Sequence, residues 1–178
     1  MTSASIWFHE DDFGQREVLP VANLAWCQAE VWRSLEFGEA HAVRTEGRLT
    51  GFTDMYRRGT PPRPLATLAW PRETVARSLG ACLPCIDVVT TGSASGPAEP
   101  CPRTHAFGGL LVTWNASGIV LHIGSRGPLL AGGTRELDAL LALSSIQPLL
   151  FVDWIDAWAL PLDPSMPGRD AFFDVASP

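Results

Sequence analysis

Between residues 21 and 40 the apolar positions Leu24, Cys27, Val31 and Leu35 recur every three or four residues, directly after Pro20. This is the period of one helical face, and it predicts a helix that buries one stripe against a sheet. Trp26 and Phe37 project from roughly the opposite side, near Glu30 and Arg33. They are expected either to lie under a second layer or to face a partner. Pro71 at a first turn and Gly80 past a last one predict a short helix over residues 72 to 79. Thr134 is a candidate N-cap for a third helix over residues 135 to 146, where Leu137, Leu140, Leu141, Leu143 and Ile146 wrap more than one face. That helix should be largely buried.

Extended segments are expected at residues 5 to 8, 51 to 57, 65 to 70, 86 to 91, 107 to 114, 119 to 123 and 149 to 152. Asn115-Ala116-Ser117-Gly118 is good hairpin chemistry between the fifth and sixth of them, and in the sixth Ile119, Leu121 and Ile123 should face inward with His122 outward. RGTPPRP, GSASGPAEP and the proline-containing tail after Trp154 read as loops. No internal repeat and no long linker divides the chain, so residues 1 to 178 are expected to form a single globular domain. The fold class is α+β: a mixed or mostly antiparallel sheet with about three packed helices.

Charge sharpens this picture. All 13 basic residues are arginine, and the net charge is −6. Residues 1 to 54 carry −5, residues 55 to 135 carry +5 and residues 136 to 178 carry −6. An acidic chain disfavours nucleic acid as the partner, because phosphate binding needs clustered cations, and suits a basic protein better. The absence of lysine removes a Walker A loop, a pyridoxal Schiff base and a lysine nucleophile. The N-terminus has no cationic flank before an apolar run, and residues 137 to 152 are too short and too interrupted to span a bilayer. A cytoplasmic address with no membrane contact is therefore expected, with reduced thiols.

Three clusters have chemical potential. Cys82 and Cys85 form a CxxC, and Cys101 with His105 adds two soft ligands after fifteen intervening residues, close to the spacing of a zinc ribbon. Against this, Cys85 runs straight into a strand pattern, so ordinary thiols are the plainer reading and no cofactor is expected, with structural zinc as the alternative. His9-Glu10-Asp11-Asp12 puts an imidazole and three carboxylates in one loop; a solvated turn is the bland reading, and an acidic patch of Glu10, Asp11, Asp12 and Glu17 docking a basic protein is the functional one. Asp153 and Asp156 follow a buried strand but have no nucleophile or metal motif beside them, so hydration of a strand end is expected there.

The segments Ile6-Trp7-Phe8-His9-Glu10-Asp11-Asp12-Phe13 through Val18-Leu19-Pro20, Thr91-Gly92, Cys101-Pro102-Arg103-Thr104 and Phe151-Val152-Asp153-Trp154 give the chain a pattern that resembles small bacterial immunity proteins of polymorphic or type VI secretion toxins. The resemblance implies a non-enzymatic cytoplasmic binding module that neutralises a cognate toxin by covering its active site. On that reading the contact residues are Glu10, Asp11, Asp12, Glu17, Trp26 and Phe37. The alternatives are a small hydrolase using His9 or His105 with nearby carboxylates, and a zinc-stabilised interaction domain around Cys82, Cys85, Cys101 and His105.

Overall fold

Proline and glycine punctuation cuts the chain into short extended segments around its helices. A computed structural model describes residues 5–9, 14–92, 97–129 and 134–163. These form strands β1 (Ser5–His9) and β2 (Arg16–Pro20), helix α1 (Leu24–His41), strands β3 (Ala42–Thr45) and β4 (Arg48–Phe52), and helix α2 (Arg72–Gly80). Next come β5 (Cys85–Ile86), β6 (Val88–Gly92), β7 (Glu99–Pro100), β8 (Thr104–Phe107), β9 (Leu110–Trp114) and β10 (Val120–Ser125). Helix α3 (Arg135–Ser144), β11 (Leu149–Asp153) and β12 (Trp158–Leu162) complete the order. The α+β expectation holds, with strands dominating and, among the described residues, all but one strand pair antiparallel.

Seven strands make the main sheet in the order β12-β11-β2-β10-β9-β8-β5, while β1-β6-β7 and β3-β4 form two small sheets. One face of the main sheet carries Val18, Val112, Ile123, Leu149 and Phe151, which pack with Val75 and Leu79 of α2 and Leu137, Leu140 and Leu143 of α3. Each such side chain contributes about 1.5–3 kcal/mol when fully buried, so this layer is the principal source of stability. The other face is covered in two pieces. Cys27 of α1 packs on Leu19, Leu150 and Val152, and Phe8 with Val89 of the small sheet packs on Ala106 and Leu111. The central strand β10 lies between those two pieces, and on this face it presents Gly124, opposite Glu17, and His122.

The three helices stand where the periodicity put them, and Asn115 shapes the β9–β10 turn by accepting hydrogen bonds from the backbone of Ser117 and Ile119. Other expectations are corrected. Residues 65 to 70 are not a strand: Leu65–Leu68 is a 3-10 turn after Pro64, closed by Ala69 in the left-handed region. Extended structure ends at Phe52 instead of running to residue 57, because 48 to 52 pairs backward with 42 to 45 across Glu46 and Gly47, both at positive φ. Residues 107 to 114 contain a second turn at Gly108-Gly109, and the tail after Trp154 supplies β12, paired with β11 along its length. In β10 Ile123 faces the core as expected, but a bulge between Val120 and His122 buries Val120 and leaves Leu121 exposed, and the side of the sheet that His122 faces is not open to solvent: there it meets Glu17.

Candidate functional site

Helix α1 is long, but among its residues only Cys27, Glu30 and Val31 are buried. Its C-terminal half runs beyond the sheet, so Leu35, expected in the buried stripe, is 49% exposed, and Trp32 is 68% exposed. The chain passes directly from α1 into the β3–β4 hairpin, tied back at its base where Thr53 N–H donates to the His41 carbonyl. A hairpin with no third strand cannot bury its own apolar residues. Of the eleven large hydrophobic residues exposed among the described residues, seven lie on this projection and the adjoining turn: Trp32, Leu35, Val43, Leu49, Phe52, Met55 and Ile155.

Together these surfaces enclose a groove of about 500 Å³, whose walls include Leu35, Phe37, Leu49, Phe52, Met55 and Ile155. Phe37 stacks on His41 with ring centroids 4.0 Å apart and lies 5.5 Å from the Tyr56 ring. Glu39 and Arg44, joined at 2.9 Å, and Asp54 add polar groups to the lining. The turn between β11 and β12 closes the groove on one side with Trp154, Ile155 and Ala157.

Behind the groove lies an ionic network. Glu30, only 2% exposed, accepts hydrogen bonds on Oε1 from the Tyr56 hydroxyl and the Gly59 N–H, each at 2.8 Å, while its Oε2 pairs with Arg33 at 2.8 Å. Glu17 Oε1 accepts from Trp154 Nε1 at 2.9 Å and from Arg58 at 3.4 Å. The Arg58 guanidinium sits 4.4 Å above the Trp154 ring and donates to the Gly14 carbonyl at 2.6 Å. Desolvation lowers the Arg58 pKa from its usual range. Burial, reinforced by the Glu17 charge, pushes the Cys27 thiol up to about 12, so it stays protonated and inert. The remaining Glu17 oxygen faces His122 Nε2 at 3.9 Å, and that nitrogen is sealed from solvent with no hydrogen-bond partner among the described residues.

Of the residues singled out in the sequence, Glu10, Asp11 and Asp12 lie outside the described residues. Glu17 is half-buried and committed to Trp154 and Arg58. Trp26 is half-buried edge-on against Trp154 at 6.0 Å, and Phe37 lines the groove. Cys85 Sγ and His105 Nδ1 approach to 3.8 Å. Cys101, however, packs with Ala106 and Leu111 on the opposite face of β8 from His105, whose ring meets Trp114. Cys82 is exposed, and among the described residues no three His, Cys, Asp or Glu side chains converge on one point. Asp153, expected at a hydrated strand end, is instead fully buried against Arg16 at 2.6 Å. Sequence reasoning missed the hairpin, Glu30, Arg58 and His122 as parts of one region; the Glu46-Gly47 pair between two β-branched segments was the available turn signal.

No helix among the described residues is long and apolar enough to cross a membrane. No protein-family model, curated protein or solved structure matches the chain.

Proposed function

We propose that the chain is a non-enzymatic protein-binding module of the immunity type, using the groove between α1, the β3–β4 hairpin and the β11–β12 turn to cover a cognate toxin. The observation that carries this reading is the concentration of Trp32, Leu35, Phe52, Met55 and Ile155, all exposed among the described residues, on one projection and its adjoining turn. Large clustered apolar surface rimmed by charge is costly to leave in water and is the usual core of a contact site. Asp54 and Glu39, the latter paired with Arg44, line the groove and favour a partner with basic residues around an apolar centre.

The hydrolase reading has less support. His105 lies beside Cys85 and Trp114, and His122, which does face a carboxylate, has its Nε2 sealed. The test is titration calorimetry of the purified chain against the product of a toxin gene encoded beside it, with Leu35→Asp and Phe52→Asp variants. The expected result is tight binding that inhibits the toxin and falls at least ~10-fold in each variant, as for a central contact residue. Undiminished binding by both variants would move the contact surface elsewhere, and absence of binding with preserved fold would remove the immunity reading.

A further inference from the structure

Glu17, His122 and Trp154 tie the wall of the groove to a half-buried imidazole whose Nε2 is sealed from solvent. Trp154, which lines the groove, is held by its indole N–H on Glu17 Oε1 and by the Arg58 guanidinium over its ring. The second Glu17 oxygen stands 3.9 Å from His122 Nε2, beyond hydrogen-bond length. The His122 ring packs over Gly124, so closely that a methyl group there would come within 2.7 Å of Cε1.

We propose that this pair is a proton-operated catch: a proton on His122 draws the Glu17 carboxylate off the Trp154 indole, repels Arg58 from the ring and loosens the Trp154–Ala157 wall of the groove. Its functional meaning rests on the groove being the partner-binding face; its operation does not. Among the described residues the charged and titratable groups facing this point are Glu17 from β2, Arg58 from the segment before the 3-10 turn, and from α1 the protonated thiol of Cys27, with Glu30 further back. Neutral His122 adds no charge, so Glu17 serves Trp154 and Arg58 alone. Protonated His122 becomes a cationic donor, and a charge-assisted bond to Glu17 at about 2.7–2.9 Å requires the carboxylate to travel about 1 Å. Burial lowers the His122 pKa below its ordinary 6.5, which keeps the catch closed at neutral pH and places its opening on the acidic side.

The experiment is an NMR titration of the purified full chain between about pH 8 and pH 5. It follows the Trp154 indole N–H, assigned by its loss in Trp154→Phe, together with the His122 ring Cε1–H. The indole resonance should move with a midpoint below 6.5 that coincides with the His122 ring, and the movement should vanish in His122→Gln. A flat indole resonance, a midpoint different from that of His122, or an unchanged titration in His122→Gln would each overturn the proposal. The wild-type coincidence decides the matter even if His122→Gln folds poorly. Loss of toxin binding in Leu35→Asp with an intact indole titration would separate the groove reading from the catch, and a failed titration would leave groove binding independent of His122.

Discussion

Arg16 and Asp153 face each other across β2 and β11, with Nε and Oδ2 2.6 Å apart and the carboxylate wholly withdrawn from solvent. The other oxygen, Oδ1, accepts the backbone N–H groups of Ile155 and Asp156 at 3.0 Å each, so one side chain both neutralises a buried arginine and shapes the turn that walls the groove. Asp153→Ala leaves the buried cation only the solvent-exposed Asp156 carboxylate, 4.0 Å away, and should cost about 3 kcal/mol in urea unfolding. Asp153→Asn retains an acceptor for the turn and should cost less. Equal and small losses in both would show that the pair contributes little.

Glu30 offers a sharper separation of roles, because its two oxygens have different partners. Oε1 serves Tyr56 and Gly59, while Oε2 serves Arg33, whose side chain is 55% exposed. Glu30→Gln keeps an acceptor at Oε1 and loses only a solvent-screened pair, so it should cost less than ~1 kcal/mol. Glu30→Ala abandons the Tyr56 and Gly59 donors and should cost about 2–3 kcal/mol. Amide exchange at Gly59 should accelerate in the alanine variant alone.

Gly124 is required by contact, since a Cβ there would meet His122 Cε1 at 2.7 Å and the Arg16 carbonyl at 3.2 Å. Gly124→Ala should therefore destabilise by about 1–3 kcal/mol, the usual range for overpacking. If the imidazole is the chief obstacle, the same change made in His122→Ala should cost less than half as much. Thermodynamic cycles from chemical unfolding would measure this coupling directly.

His122 also fixes the sign of a pH effect on stability. Its folded-state pKa is lowered by burial, so below the ordinary value of 6.5 the unfolded chain binds the proton more readily than the folded one. The contribution is therefore fully present above 6.5 and lost as pH falls through the window beneath it. Unfolding free energy measured across that window should decline on acidification, and His122→Gln should flatten that part of the slope. An identical slope in the variant would assign the decline to other groups.

The elements that were legible in the sequence are those with strong local signals. Pro71 and Gly80 bracket α2, the leucines of α3 keep helical spacing, and Asn115 to Gly118 form a turn whose side chain supplies its own hydrogen bonds. The groove was legible only in Phe37, because a stripe of helical period does not reveal where the covering sheet stops; Leu35 keeps the period of Val31 and lies beyond the edge. Alternation from Ile123 put His122 on the far side of β10, but nothing local revealed that Glu17 and Arg58 flank it there. Its neighbours Glu17, Arg58 and Trp154 arrive from three distant segments, so no spacing rule could have joined them.

The four thiols provide a test of how the structure separates residues that lie close in sequence. Cys82 and Cys85 are exposed, Cys101 is partly covered, and Cys27 is buried with its ionisation pushed up to about 12. An aromatic disulfide reagent at mildly alkaline pH should modify Cys82 fastest, and Cys85 and Cys101 more slowly, since burial raises the pKa of both thiols and the Asp87 charge adds to it at Cys85. Cys27 should react only on unfolding. Zinc added beforehand should not shield the first three as one class, because Cys101 and the Cys85–His105 pair occupy opposite faces of β8. Joint protection of Cys82, Cys85 and Cys101 at one equivalent of zinc would instead require the segment from 82 to 105 to rearrange around the ion, and would favour the metal-stabilised reading.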